Sequence, residues 1–239
     1  MIKRVLIDLS TQLDFLSSDG AIPVINREQL VPNLRRTMAW ARLTQTPVVS
    51  SIDSRQENEP FNGIPKHCIE GTVGQKKIYF TLMSRRTFLQ ADNSLSMPPN
   101  IFEKYSQVVL RKRTKDFLGN PKVDRLLTES SVGEYVICGV GLESAIKSLA
   151  LGLLTRLKRV AVVYDACGFW NVSAADLSLR QMEAKGARLI CVEELSRMRR
   201  RYPGKNGTLR ANRAHRLHDP SAPMPALVRD RLDALHNGG

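Results

Sequence analysis

The chain predicts a three-layer α/β/α fold built on a six-stranded parallel sheet, and three observations carry that reading. Short runs rich in Val and Ile are bounded by polar residues or Gly, and segments whose apolar residues fall three and four apart separate them. The runs are apolar throughout instead of alternating, as strands covered on both faces are. With 239 residues and 42% hydrophobic content, the chain can bury one sizeable core.

Val5-Leu6-Ile7 reads as the first strand. A helix over 26–45 follows, with Leu30, Leu34, Met38 and Trp40-Ala41 along one face, and leads into a second strand over 47–52. Residues 54–104 are less regular. Their glycines and prolines, among them Gly63, Gly71, Gly74, Pro60 and Pro65, mark a long insertion placed to cover the carboxyl edge of the sheet. Strands over 107–110, 135–138, 159–164 and 188–192 then alternate with helices over 118–129, 143–157 and 173–185, and Gly186 sits at a helix C-cap position. In such sheets ligands collect at the carboxyl ends of the strands.

The formal charge of +13 is unevenly spread. Residues 197–239 hold 10 Lys/Arg against 3 Asp/Glu, a net +7, which leaves +6 for residues 1–196. The domain therefore covers 1–196. The segment 197–239, which opens on basic residues and has Pro203, Pro220, Pro223 and Pro225, reads as a largely irregular basic tail with one short helix near 226–235. It serves as a solubilising extension or as an arm for nucleic acid or an acidic partner, and only Tyr202 offers base stacking. No run of 18 apolar residues exists, and Met1-Ile2-Lys3-Arg4 passes straight into a strand containing Asp8, so neither a membrane span nor a signal peptide is expected and the chain reads as cytoplasmic. Cys68, Cys138, Cys167 and Cys191 lack CxxC spacing and indicate neither a zinc knuckle nor a disulfide framework.

Three segments are more specific than composition. Val5 to Phe15 with Gly20-Ala21-Ile22-Pro23-Val24, then Pro65 to Gly74 with its His67-Cys68 and Gly71-Thr72 pairs, then Val136 to Ile146 with Gly139 and Gly141 in the turn, occur in this order, and Asp165-Ala166 fits after the fifth run. Together they resemble the isochorismatase-like cysteine hydrolases, which include nicotinamidases, carbamoylsarcosine amidases and isochorismatases. The resemblance spans roughly residues 4–192.

The resemblance implies a triad of Asp, Lys and Cys, in which the thiol attacks a carbonyl, the carboxylate takes its proton and the ammonium supports both. Carried over residue by residue, the lysine is Lys112, the nucleophile's position holds Ala145 and the carboxylate's holds Ser10. Cys138 lies inside a strand, and Cys167 is expected to be a small buried hydrophobe near the same sheet edge. Asp8 shares a strand face with Ser10 one pleat deeper and, as a buried carboxylate, needs a partner, for which Lys112 is the nearest candidate.

For the nicotinamidase branch the resemblance also implies a metal site, an Asp-x-His pair after the second strand and a His before the Cys, and here those positions are Asp53, Arg55 and His67. Arg55 repels a divalent cation, so an Asp53–Arg55 ion pair is expected and no metal or other cofactor. Asp53, Arg55, His67 and Gly141 are expected to line the pocket. The leading reading is a non-catalytic family member that keeps the pocket and Lys112 for binding or assembly, since groups acting as a unit fail as a unit. The alternatives are a hydrolase with altered chemistry, through vinyl ether cleavage by Asp8 or a Ser10–Lys112 dyad, and nucleic-acid binding through the tail. The expected ligand is a small molecule, with anions among the candidates, and a homo-oligomer is expected without membrane association.

Overall fold

The strands are β1 (Val5–Leu9), β2 (Val48–Asp53), β3 (Arg86–Leu89), β4 (Gln107–Lys112), β5 (Tyr135–Val140), β6 (Val160–Gly168) and β7 (Arg188–Ile190). They form one sheet in the order β3-β4-β2-β1-β5-β6-β7, and every pairing is parallel. The structure, a computed structural model, describes residues 2–89, 97–98, 100–112 and 116–198. The tail from residue 199 onward, with the helix expected near 226–235, lies outside the described residues.

The sheet has seven strands where the sequence pattern predicts six. The additional strand, β3, sits at the edge inside the segment 54–104, and its residues alternate between exposed and half-buried. A four-residue edge strand reading Arg-Thr-Phe-Leu covers only one face and so leaves no continuous apolar run to detect. The last strand is also shorter than expected, because Cys191 caps a helix that starts at Val192.

The helices are α1 (Leu13–Leu16, a single turn), α2 (Arg27–Thr44), α3 (Ile101–Lys104), α4 (Pro121–Glu129), α5 (Lys147–Thr155), α6 (Val172–Ala184) and α7 (Val192–Arg197). Their ends follow from local chemistry. Asn120 and Asn171 accept the N–H groups of Lys122 and Ala174 at the starts of α4 and α6, and α2 stops at Gln45 in the left-handed conformation. Asn26, before α2, instead donates to the Cys167 carbonyl at 2.9 Å and accepts from the Phe169 N–H at 3.3 Å, which ties the helix start to the end of β6. Among the described residues no helix is long and apolar enough to cross a membrane.

Leu6, Val48, Val136 and Ala161 share a core with Leu30, Leu34 and Met38 of α2 and Leu195 of α7. Ile7, Val49, Ile137 and Val162 alternate with them along the strands, face the other side of the sheet and are fully buried as well. Each such side chain contributes about 1.5–3 kcal/mol of burial. At the centre, β1 and β5 run so close that a Cβ on Gly139 would lie 2.1 Å from the Leu9 carbonyl oxygen. Only glycine fits there, at φ +124°, and this approach brings the ends of β1 and β5 to one place.

Candidate functional site

The site lies where β1, β2, β4 and β5 end. Asp53 of β2 pairs in register with Lys112 of β4, and their side chains form an ion pair at 2.6 Å. Ser10 follows β1 directly and is 2% exposed. Its hydroxyl donates to Asp53 Oδ1 at 2.7 Å, and its N–H donates to Ser51 Oγ at 3.0 Å. Ser10 adopts φ +52°, a conformation that costs an L-residue about 1 kcal/mol and turns the chain out of the strand. After β5, Gly141 at φ +88° opens a π-helical turn over Leu142–Ile146 that carries the buried Ala145.

These residues surround one cavity of about 460 Å³. Ser10, Asp53, Arg55, His67, Lys112, Gly141 and Ala145 all line it, so the sequence register brings the expected positions together. Phe15, Ile22, Ile64, Val140 and Trp170 supply the apolar part of the wall, and Glu143 and Ser144 complete it. The Phe15 ring meets Trp170 edge-on at 5.5 Å and tilts against His67 at 5.7 Å.

Asp8 is placed differently from expectation. It does not line the cavity and does not pair with Lys112. Fully buried, it forms an ion pair at 2.9 Å with Lys77, whose side chain is 1% exposed, and accepts hydrogen bonds from Thr11 at 2.8 Å and Ser50 at 2.9 Å. Lys77 also donates to Thr11 Oγ1 at 2.7 Å. Lys112, at the strand end, is engaged by Asp53, and the insertion supplies the deeper carboxylate with its own cation.

The expected Asp53–Arg55 pair does not form either. Among the described residues Arg55 makes no ion pair, and its guanidinium lies 5.4 Å from the centre of the Phe61 ring. Residues 53 and 55 straddle the end of β2. The Asp53 carboxylate turns toward the neighbouring strand, while the Arg55 backbone is held by Cys68 and Glu70 in the insertion.

Further residues come from motifs whose individual roles the sequence did not reveal. Gln12 grips the Asp53 backbone from both sides, accepting its N–H at 2.7 Å and donating to its carbonyl at 2.9 Å, and also donates to the Gln75 carbonyl at 2.8 Å. Asp14 accepts the N–H of Cys68 at 2.6 Å and of Ala21 at 3.2 Å. Glu143 Oε1 accepts the N–H groups of Trp170 and Asn171 at 2.8 and 3.2 Å. Gln12 and Asp14 fall within the Val5 to Phe15 segment, and Lys77 carried no signal beyond the need of Asp8 for a partner.

No thiol lines the cavity. Cys68, Cys138 and Cys167 are fully buried, and burial pushes all three thiols well above the ordinary range. Cys167 donates to the Val163 carbonyl at 3.1 Å, in keeping with a small core residue. His67 is 6% exposed, and burial lowers its pKa, so its ring is neutral at pH 7. Its Nδ1–H donates to the Pro65 carbonyl at 2.8 Å.

The donor set does not fit zinc. Asp53 is occupied by Lys112 and Ser10, a guanidinium stands where a second imidazole would be needed, and His67 alone is left. Among the described residues no group of three His, Cys, Asp or Glu side chains is arranged to hold a metal ion.

No curated protein matches the chain in sequence. Among solved structures, it is similar to a nicotinamidase/pyrazinamidase from Bacillus subtilis at TM-score 0.63 and 17% identity, covering 79% of this chain and 99% of that one. A pyrazinamidase from Pyrococcus horikoshii, solved in complex with zinc, gives 0.62 and 20% over 79% and 99%. An N-carbamoylsarcosine amidase from Thermoplasma acidophilum gives 0.60 and 21% over 80% and 97%. At these identities the likeness shows the fold. The isochorismatase domain model matches residues 5–194, and with the seven-stranded parallel sheet in place this shows that the chain belongs to the isochorismatase family.

Proposed function

We propose that the chain is a non-hydrolytic member of the isochorismatase family that binds a small molecule in the cavity at the carboxyl ends of β1, β2, β4 and β5. One observation carries this reading. Position 145 offers a methyl group, and the carboxylate beside Lys112 is Asp53, already engaged by the lysine at 2.6 Å and by Ser10 at 2.7 Å. Amide hydrolysis of the family's kind needs a thiolate and a carboxylate ready to take its proton, and this site presents neither. The cavity itself is retained, with a largely apolar wall and a few convergent polar groups, as ligand pockets have.

The test is an assay of the purified full chain on nicotinamide, pyrazinamide and N-carbamoylsarcosine, with and without a thiol-alkylating reagent. No turnover is expected under either condition. Robust turnover abolished by alkylation overturns the reading.

A second reading, a hydrolase of altered chemistry, is favoured by the Asp53–Lys112 pair, which keeps a carboxylate and an ammonium together in the cavity. Vinyl ether hydrolysis would pass a carboxyl proton to the terminal vinyl carbon, add water to the resulting oxocarbenium with the water's proton returning to the carboxylate, and break the C–O bond of the hemiketal to release the alcohol and a carbonyl product. Asp53 would be the donor, not Asp8, which lies outside the cavity. Turnover of an enol ether that disappears in Asp53→Asn selects this reading. Nucleic-acid binding through residues 197–239 rests on charge alone and predicts a salt-dependent affinity lost on truncation at 196.

A further inference from the structure

The charges around the cavity are not equivalent. Lys112 and Asp53 neutralise each other at 2.6 Å. Glu143 has one oxygen engaged by two backbone N–H groups, and the other is buried out of reach of solvent with no hydrogen-bond partner among the described residues. His67 is neutral at pH 7 because burial lowers its pKa. Arg55 remains: a half-buried guanidinium that lines the cavity and makes no ion pair among the described residues.

Arg55 is also held in place. Its N–H donates to the Cys68 carbonyl at 3.0 Å and its carbonyl accepts from Glu70 N–H at 2.9 Å, so its backbone is fixed independently of its side chain. Phe61 lies against the guanidinium at 5.4 Å and limits its freedom. A planar fork of N–H donors whose backbone is already anchored suits two oxygens of one planar anion. Across the cavity, Phe15, Ile22, Val140 and Trp170 offer an apolar surface.

Resting on the reading of this cavity as a small-molecule site, we infer that Arg55 anchors the carboxylate of a monoanionic ligand whose apolar body lies against Phe15 and Trp170. Arg55 is the one cation lining the cavity without an ion-pair partner among the described residues, which matches one carboxylate, and the Glu143 carboxylate, held by the Trp170 and Asn171 N–H groups, disfavours any further negative charge. A phosphate, with nearly two charges, would need a second free cation, and the other one lining the cavity is committed to Asp53.

The experiment is an NMR titration of the full chain with benzoate, benzamide, phenyl phosphate and benzylamine, repeated on Arg55→Gln and Arg55→Lys. Benzoate is expected to bind about tenfold or more tightly than benzamide, because a hydrogen bond to a charged group is worth that much. Arg55→Gln should level the two, and Arg55→Lys, keeping the charge but not the fork, should fall between. Unchanged thermal midpoints of both variants show that the loss is local. Benzoate and benzamide binding alike, a preference that survives Arg55→Gln, or tightest binding of phenyl phosphate or benzylamine overturns the inference while the pocket stands. Absence of binding by all four probes overturns the small-molecule reading and the inference together.

Discussion

Asp53 and Lys112 occupy paired positions on adjacent strands, and their side chains meet at 2.6 Å with the Ser10 hydroxyl as a third partner. The carboxylate beside Lys112 thus stands at the end of β2, and the position after β1 holds a hydroxyl. Placing a carboxylate after β1 therefore creates a conflict.

Ser10→Asp would bring a second carboxylate against Asp53 in a buried setting, where Lys112 can neutralise only one. The expected cost at pH 7 is about 1–3 kcal/mol. Repulsion raises the pKa of one carboxyl in the folded protein above its unfolded value of about 4. The penalty is thus absent below that unfolded value and develops as pH rises toward the folded one. Urea unfolding of both proteins at pH 4 and pH 7 reads it, and an equal difference at the two pH values would contradict the electrostatic account. By the same logic, Ser10→Asp with Ala145→Cys should yield a sluggish thiol, and adding Asp53→Asn should raise its alkylation rate.

The Asp8–Lys77 pair is fully buried, so removing one member strands the other. Lys77→Met should cost about 3–5 kcal/mol, and Asp8→Leu with Lys77→Met should recover much of the loss. A double-mutant cycle by chemical denaturation measures both. A cost below about 1 kcal/mol for Lys77→Met would show that water reaches Asp8.

Thiol reactivity follows burial. Cys68, Cys138 and Cys167 are expected to resist alkylation of the native protein at pH 8 and to react on unfolding, whereas the half-buried Cys191 reacts first. Peptide mass spectrometry after a timed pulse of reagent assigns each site. Early modification of Cys68 would mean that the wall of the cavity opens.

Protein purified without a polyhistidine tag should carry no stoichiometric zinc, because Asp53 is engaged by Lys112 and Ser10 and His67 is the one imidazole lining the cavity among the described residues. Elemental analysis decides this. Zinc at one equivalent that vanishes in His67→Ala would require Asp53 to leave Lys112.

The sheet and the lining of the site were legible because they rest on periodicity and on motif register. Buried runs such as Tyr135–Val140 announce themselves, and counting along the motifs placed Ser10, Lys112 and Ala145 in one cavity. Pairings between charged side chains were not legible. Asp8 found its partner in Lys77 from a loop with no periodic signal, and Asp53 chose Lys112 over Arg55 because strand register places their backbones side by side. Both outcomes depend on tertiary placement, which a one-dimensional pattern does not contain. β3 escaped detection for the related reason that an edge strand is only half covered.

The bonds made by Asp14, Gln12 and Asp8 have a mechanical consequence. Asp14 fastens the wall segment at Cys68, Gln12 fastens it at Gln75, and the Asp8–Lys77 pair fastens it at Lys77. The stretch from 68 to 77 is thereby riveted to the sheet at three points, two of them side-chain grips on its backbone and the third a buried charge pair. On this side of the cavity, movement of the wall then falls to residues 56–66, where Ile64 and Phe61 flank Arg55 and His67. The Cys68 amide, which donates to the Asp14 carboxylate in a buried bond, should exchange with deuterium on the timescale of global unfolding, while the amides of 56–66 exchange early and slow down when the cavity is filled.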